Sequence, residues 1–214
     1  MACVKHYALY GAAEAGRDYN TVDMSRVTAM NYYMRPYQAA VEAGVGSIMT
    51  SFNEFESIPA TGNTWLLNDV LRKQWGFNGF VVSDFTAIAE MVNHGIGNSQ
   101  EVGVKALKAG VDMDMIADCY HAVLKKSLEE GKITEAKIDS ACRRILIAKY
   151  QLGLFHDPYK YCNPKRAAKE FLSVNNVSAA RRIAAESFVL LKNDNNLLPL
   201  KAVSYTHLRA HETL

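Results

Sequence analysis

No apolar run in this chain approaches the roughly 18 residues that a bilayer-spanning helix needs. A helical membrane span is therefore not expected. Basic blocks are also missing, as is any interleaving of basic with aromatic residues. Lys+Arg 24 against Asp+Glu 22 leaves a formal charge of only +2, so the electrostatic footprint of a nucleic-acid binder is absent. Cysteine is scarce and scattered. Cys3, Cys119, Cys142 and Cys162 show neither the paired spacing of a zinc site nor the density of a disulfide framework, and free thiols are expected. Residues 1–6 carry no basic n-region and no apolar h-region, so no signal peptide is visible in them.

What remains is ordinary globular material. The hydrophobic fraction is 49% and the charged fraction 21%, over 214 residues, enough for one large domain or for one domain and part of another. The most informative segment is Gly79-Phe80-Val81-Val82-Ser83-Asp84, a short apolar run closed by a carboxylate. A helical pattern follows it. In an α/β protein this puts Asp84 at the C-terminal end of a buried strand, where barrel folds keep their chemistry. A carboxylate there can cap the next helix, pair with a cation or attack a substrate.

Similar segments recur at residues 46–50 and 110–115, with a further one at residues 2–6. Their spacing of about 30 to 45 residues fits successive βα units of a parallel barrel. The helices between them carry start and stop signals. Pro36 suits a first turn, and that helix ends at Gly44. Asn63 caps a helix stopped near Gly76, and Ser99 is expected to cap one that ends at Gly110. Two more helices are predicted over 119–130 and 135–151, the second with a stripe of Ile138, Ala141, Cys142, Ile145 and Leu146. Two prolines, Pro158 and Pro164, and a loss of periodicity mark a linker. A last helix is predicted over 179–186 and on into Phe188-Val189-Leu190-Leu191, followed by a turn at 193–196.

Several motifs, in order along the chain, carry a family resemblance. They are Lys5-His6-Tyr7-Ala8-Leu9-Tyr10-Gly11, Gly16-Arg17-Asp18-Tyr19-Asn20, Met49-Thr50-Ser51-Phe52-Asn53, Pro59-Ala60-Thr61 and Trp65-Leu66-Leu67. Leu71 to Phe77, Val82-Ser83-Asp84, Gly153-Leu154-Phe155 and Glu186 to Asn193 complete them. The chain resembles two-domain family-3 glycoside hydrolases of the bacterial periplasmic β-glucosidase type. The resemblance implies an α/β fold: the C-terminal half of a (β/α)8 TIM-like barrel plus the first helix of a following α/β sandwich domain. Residues 1–152 would be the second half of the barrel and 153–176 an inter-domain linker. Residues 177–201 would begin the truncated sandwich. Residues 202–214 read as a non-native tail, because no apolar strand stands where the family has one.

The resemblance further implies retaining hydrolysis of terminal non-reducing β-D-glucosyl residues from β-glucosides or oligosaccharides, without cofactor or metal. The parent would be periplasmic or secreted. Asp84 would be the nucleophile, and the acid/base Glu would lie outside this chain, in the second domain. Lys5 and His6 would bind sugar hydroxyls beside Asp84. Met49, Phe52 and Phe85 would pack around the sugar. Many members have Trp at the position of Phe85 and Tyr at that of Phe52, so two hydrogen-bond donors are lost here. Arg17 with Asp18 reads either as a loop-bracing ion pair or as a substrate-side contact.

Other residues have plainer expectations. Asp112 and Asp114, two apart, imitate a catalytic pair but are expected to make structural hydrogen bonds. Glu54 is expected on the rim, and His94 and His121 on the surface of helices. Tyr7-Ala8-Leu9-Tyr10-Gly11 replaces the Pro-Gly-His-Gly run of the family's β-N-acetylglucosaminidases, which disfavours that activity. β-Xylosidase or broad exo-β-glucanase activity stays open. So does a catalytically inactive sugar-binding product for the isolated chain.

Overall fold

In a computed structural model of the chain, which describes residues 1–200, two compact units are present. The first, Met1–Lys160, is an α/β unit around a parallel sheet. Strands β1 (Cys3–Tyr7), β3 (Ser47–Thr50) and β6 (Phe80–Val82) pair in that order. The register sets Val4 beside Ile48 and Ile48 beside Val81. Residues 110–115, expected as a strand, contribute a single parallel bridge, Val82 to Met113. A small accessory sheet joins β2 (Thr21–Val22), β4 (Glu54–Phe55) and β5 (Ile58–Pro59).

Helices of this unit include α1 (Arg35–Glu42), α2 (Trp65–Gln74), α3 (Ala87–Glu90), α4 (Ser99–Ala109), α5 (Cys119–Glu129) and α6 (Glu135–Gln151). Pro36 stands in the first turn of α1, as its fixed φ favours. The side chain of Asn63 accepts from Leu66 N–H at 3.1 Å and so caps α2, whose turns are wound wider than an α-helix. The cap of α4 differs from expectation. Asn98, one residue before Ser99, accepts from Gln100 and Glu101 N–H, and Glu101 returns a bond to Asn98 N–H. The amide satisfies two orphan donors and completes a capping box, which leaves Ser99 as the first helical residue.

The core runs through Tyr7, Ile48, Phe55, Leu66, Leu67, Leu71, Val81, Ile88 and Met91, all fully or almost fully buried. Tyr7 is the anchor of its upper part. Its ring meets Tyr37 edge-on at 5.2 Å and Trp75 at 6.2 Å, and its hydroxyl donates to Leu66 O at 2.8 Å. Gly79 answers a close approach: a Cβ there would lie 2.2 Å from Gly46 O on the neighbouring strand. Of the stripe on α6, Ala141 is buried, whereas Cys142 and Leu146 are exposed.

Asp112 is a structural residue. Its carboxylate accepts from Val81 N–H at 2.8 Å, Arg72 at 2.6 Å and Arg144 at 2.6 Å. It thereby ties β6 to α2 and α6. Asp114, its apparent twin, accepts from Tyr120 N–H at 3.1 Å instead.

The second unit begins at Tyr161. The stretch read as linker contains a short helix, α7 (Pro164–Glu170), capped by the side chain of Asn163. Helix α8 spans Val174–Ser187, capped by Ser173, and stops before Phe188, whose backbone is extended. The predicted continuation into residues 188–191 is therefore not helical. Residues 202–214, read as a tail, lie outside the described residues.

Two outcomes follow from these contacts. Asp112→Ala strands two guanidinium groups and should cost about 3–5 kcal/mol. The urea midpoint, followed by the fluorescence of Trp65 and Trp75, checks this. Burial, with the charges of Asp114 and Asp118, pushes the Cys119 thiol up to about 11, while Cys3, Cys142 and Cys162 are exposed. A maleimide at pH 7.5 should modify those three in the folded chain and reach Cys119 only after denaturation.

Candidate functional site

The parallel sheet brings the C-terminal ends of β1, β3 and β6 together, and the residues singled out in the sequence follow from it. Thr50 lies beside Tyr7, and Ser51 N–H donates to Tyr7 O at 2.8 Å. Ser83 N–H donates to Met113 O, and Ser83 Oγ accepts from Met115 N–H at 2.8 Å. These bonds extend the pairing to the first loop residues. Asp84 comes immediately after them.

One oxygen of Asp84 accepts from Phe85 N–H at 2.7 Å. The other faces His6 Nε2 at 3.3 Å, with 13% of the Asp84 side chain exposed. The carboxylate is thus hydrogen-bonded at one oxygen, faced by an imidazole at the other, and still open to solvent. His6 is itself fixed from behind, because the Tyr37 hydroxyl on α1 donates to its backbone carbonyl. The peptide bonds Lys5–His6 and Tyr7–Ala8 are cis. Lys5 is exposed and makes no ion pair with Asp84 among the described residues.

Aromatic rings extend from this pair. Tyr10 meets the His6 ring edge-on at 5.3 Å, and Phe52 lies 6.1 Å from Tyr10. Tyr19 packs against Phe52 at 4.4 Å. Phe85 is 56% exposed and Met49 half-buried, so both have a free face. The Tyr10 hydroxyl donates to Asp18. Burial first, then the bond to Asp18 and its charge, pushes the Tyr10 phenol well above its ordinary value. Asp18 is engaged by Tyr10 and by Tyr19 N–H, and it forms no ion pair with Arg17 among the described residues. Arg17 is exposed on the wall of a cavity of about 280 Å³ that Tyr10, Gly11 and Asp18 also line.

One further expectation changes. His94 is not a surface helix residue. It lies in the turn after α3, 19% exposed, with Nδ1 2.7 Å from Glu54 Oε1. Glu54, on the rim as expected, spends its second oxygen on the Thr21 hydroxyl at 2.9 Å. His121 is exposed, as expected, beside Asp118. Among the described residues no group of three or more His, Cys, Asp or Glu side chains could hold a metal ion. No helix among them is long and apolar enough to cross a membrane.

The profile of the glycosyl hydrolase family 3 N terminal domain matches residues 1–148. The chain belongs to glycosyl hydrolase family 3. It is 47% identical over 207 residues to a periplasmic beta-glucosidase of Salmonella typhimurium, covering 94% of this chain and 27% of that protein. It is 37% identical over 230 residues to a beta-xylosidase of Formosa agariphila, covering 99% of this chain and 31% of that protein. The crystal structure of a beta-glucosidase from Listeria innocua in complex with gluconolactone superimposes with a TM-score of 0.87 at 46% identity, over 92% of this chain and 27% of that one. The chain thus spans about a quarter to a third of the length of these family 3 relatives.

The sequence gives no role to Tyr10, Tyr19 or Tyr37, and it points His94 to a helix surface instead of to Glu54. Tyr10 and Tyr19 sit inside quoted motifs, so their signal was present but unassigned. Tyr37 and His94 meet partners 31 and 40 residues away, and no local pattern reports such contacts.

Proposed function

We propose that the protein carrying this chain is a retaining β-glucosidase in which Asp84 is the nucleophile. The main support is the posture of Asp84 at the end of β6, held by Phe85 N–H and His6 while remaining accessible. A nucleophilic carboxylate must present a fixed oxygen to the anomeric carbon, and orientation of this kind is a large share of the rate. Attack on the anomeric carbon breaks the glycosidic bond as the acid/base protonates the departing aglycone oxygen, giving a glycosyl-enzyme; water, deprotonated by the same group, then displaces Asp84 and releases the sugar with retained configuration. His6 and Lys5 would bind sugar hydroxyls, with Met49, Phe52 and Phe85 as apolar walls and Arg17 as an outlying contact. Glu54 is committed to His94 and Thr21, which supports assigning the acid/base to a Glu outside this chain.

The architecture proposed for residues 1–152 is the second half of a (β/α)8 barrel. The parallel order β1-β3-β6, which follows chain order within this sheet, supports it, as does the bridge from Val82 to Met113. Residues 153–176 would link to a sandwich domain begun by residues 177–201. A periplasmic or secreted location fits the name of the Salmonella relative. Gluconolactone, bound to the Listeria relative, has a flat anomeric carbon like the oxocarbenium-like transition state. That favours a glucosyl substrate. The Formosa relative favours a second reading, β-xylosidase, since a xyloside differs from a glucoside by one hydroxymethyl group. Broad exo-β-glucanase activity is a third. The isolated chain, without an acid/base, would have no useful turnover and at most bind sugar.

In the full-length protein, a 2-deoxy-2-fluoro-β-glucoside should add its glycosyl mass to the peptide containing Asp84. Asp84→Ala should lower kcat on an aryl β-glucoside on the order of 10⁴-fold. Labelling of another carboxylate would overturn the assignment, and faster turnover of the aryl β-xyloside would favour the second reading. His6→Ala removes the ring that faces Asp84 at 3.3 Å and should lower kcat/KM roughly 10-fold or more.

A further inference from the structure

Glu54 is the meeting point of three loops. Its Oε1 faces His94 Nδ1 at 2.7 Å and its Oε2 accepts from Thr21 at 2.9 Å. Thr21 lies in the segment after β1, Glu54 in the segment after β3, and His94 in the segment after β6. Each therefore belongs to a different loop leaving the same end of the sheet. Thr21 and Glu54 are also strand partners, so the carboxylate is held by backbone pairing as well. The pair is shielded, with 19% of the His94 and 18% of the Glu54 side chain exposed. Exposed ion pairs contribute little, but truncating one partner of a shielded pair leaves the other uncompensated.

The placement connects to the site through short stretches of chain. Phe52 is two residues before Glu54, and Asn53 between them is fully buried. His94 is joined to Asp84 and Phe85 by one turn of α3 and by Met91, also fully buried. Within that stretch Thr86 Oγ1 donates to Glu90 at 3.0 Å, which stiffens it. Neither segment has much slack, so a bond from Glu54 to His94 sets the separation of their opening residues.

We infer that Glu54 and His94 form a clamp that holds the Phe52 loop in register with the Asp84–Phe85 segment, and that both are positioning residues. The inference rests on the glycosidase reading for its consequence in turnover, but not for the clamp itself. A displacement of about 1 Å at a reacting centre costs roughly 10²-fold, so loss of the clamp should act on rate well before it acts on folding.

The test uses the full-length protein with Glu54→Ala, His94→Ala, the double variant, Glu54→Gln and His94→Gln. Lys73→Ala, which removes the exposed pair with Asp69, is the control. Each alanine variant should lower kcat/KM and the rate of fluoroglucoside labelling about 10²-fold. The double variant should be no worse than the weaker single, the glutamine variants should recover most of the loss, and the control should match wild type. Unchanged rates in an active protein would overturn the clamp, as would single losses that multiply in the double variant. Hydrogen–deuterium exchange reads the clamp without turnover, and the glutamine variants serve if the alanine ones do not fold. Weakening His94 should speed exchange in residues 51–56, across the clamp, as well as in 84–98. Faster exchange confined to 84–98 would overturn it. A wild-type protein that neither hydrolyses nor labels refutes the glycosidase reading, and the exchange result still decides the clamp.

Discussion

The carboxylate of Asp112 is the constraint on which the placement of the site depends. It is almost fully buried, and an unpaired charge there would be prohibitive. Two guanidiniums and a backbone N–H satisfy it. Burial raises the Asp112 carboxyl, and Arg72, Val81 N–H and Arg144 pull it the other way. The pairing matters for where it acts. Val81 is the middle residue of β6, three residues before Asp84, and Arg72 also donates to Gly79 O at the start of that strand. The short strand is gripped from α2, α6 and the 110–113 segment, so the carboxylate at its end inherits a fixed position.

The opposite edge of the sheet, β1, is held by aromatic and polar contacts of longer reach. Tyr7 fixes β1 against α2 through Leu66, and Tyr37 fixes the next carbonyl along, that of His6. These tyrosines are structural. Burial raises the phenols of both, most strongly that of Tyr7, so each is a neutral donor at working pH. His6 is thereby aimed at Asp84 by α1, just as Asp84 is aimed by its own strand. Two independently braced residues, one in β1 and one just after β6, give better preorganisation than a contact between two loop tips.

Much of this was legible along the chain because its causes are local. The apolar run from Gly79 to Val82, closed by Ser83 and Asp84, announces a strand and its functional end. The proline of α1 and Asn63 before α2 mark helix starts by the chemistry of orphan N–H groups. Ser99 was a poor guide because Asn98 beside it is also a capping residue, and the reciprocal Glu101 decides between them. Residues 110–115 read as a strand but pair at one bridge, since Asp112 is turned toward two arginines. His94 was misread because its partner lies on another loop, and only the folded sheet brings the two together. The pairing of His6 with Asp84 follows from the family resemblance of the motifs, since no local spacing reports it.

The second unit obeys the same physics in a different balance. Among the described residues from Tyr161 onward none is buried, and Ile183, Phe188 and Leu191 are 60%, 81% and 91% exposed. Helix α8 is well capped by Ser173, but at 14 residues a helix is marginal in water unless an apolar face is covered. Its alanine-rich sequence supplies propensity without burial. The first unit, with its shared core of Tyr7, Phe55 and Leu71, has the opposite character. The buried core of the described residues lies within 1–160. The apolar side chains of α8 and of residues 188–191 find no cover among the described residues of their own unit.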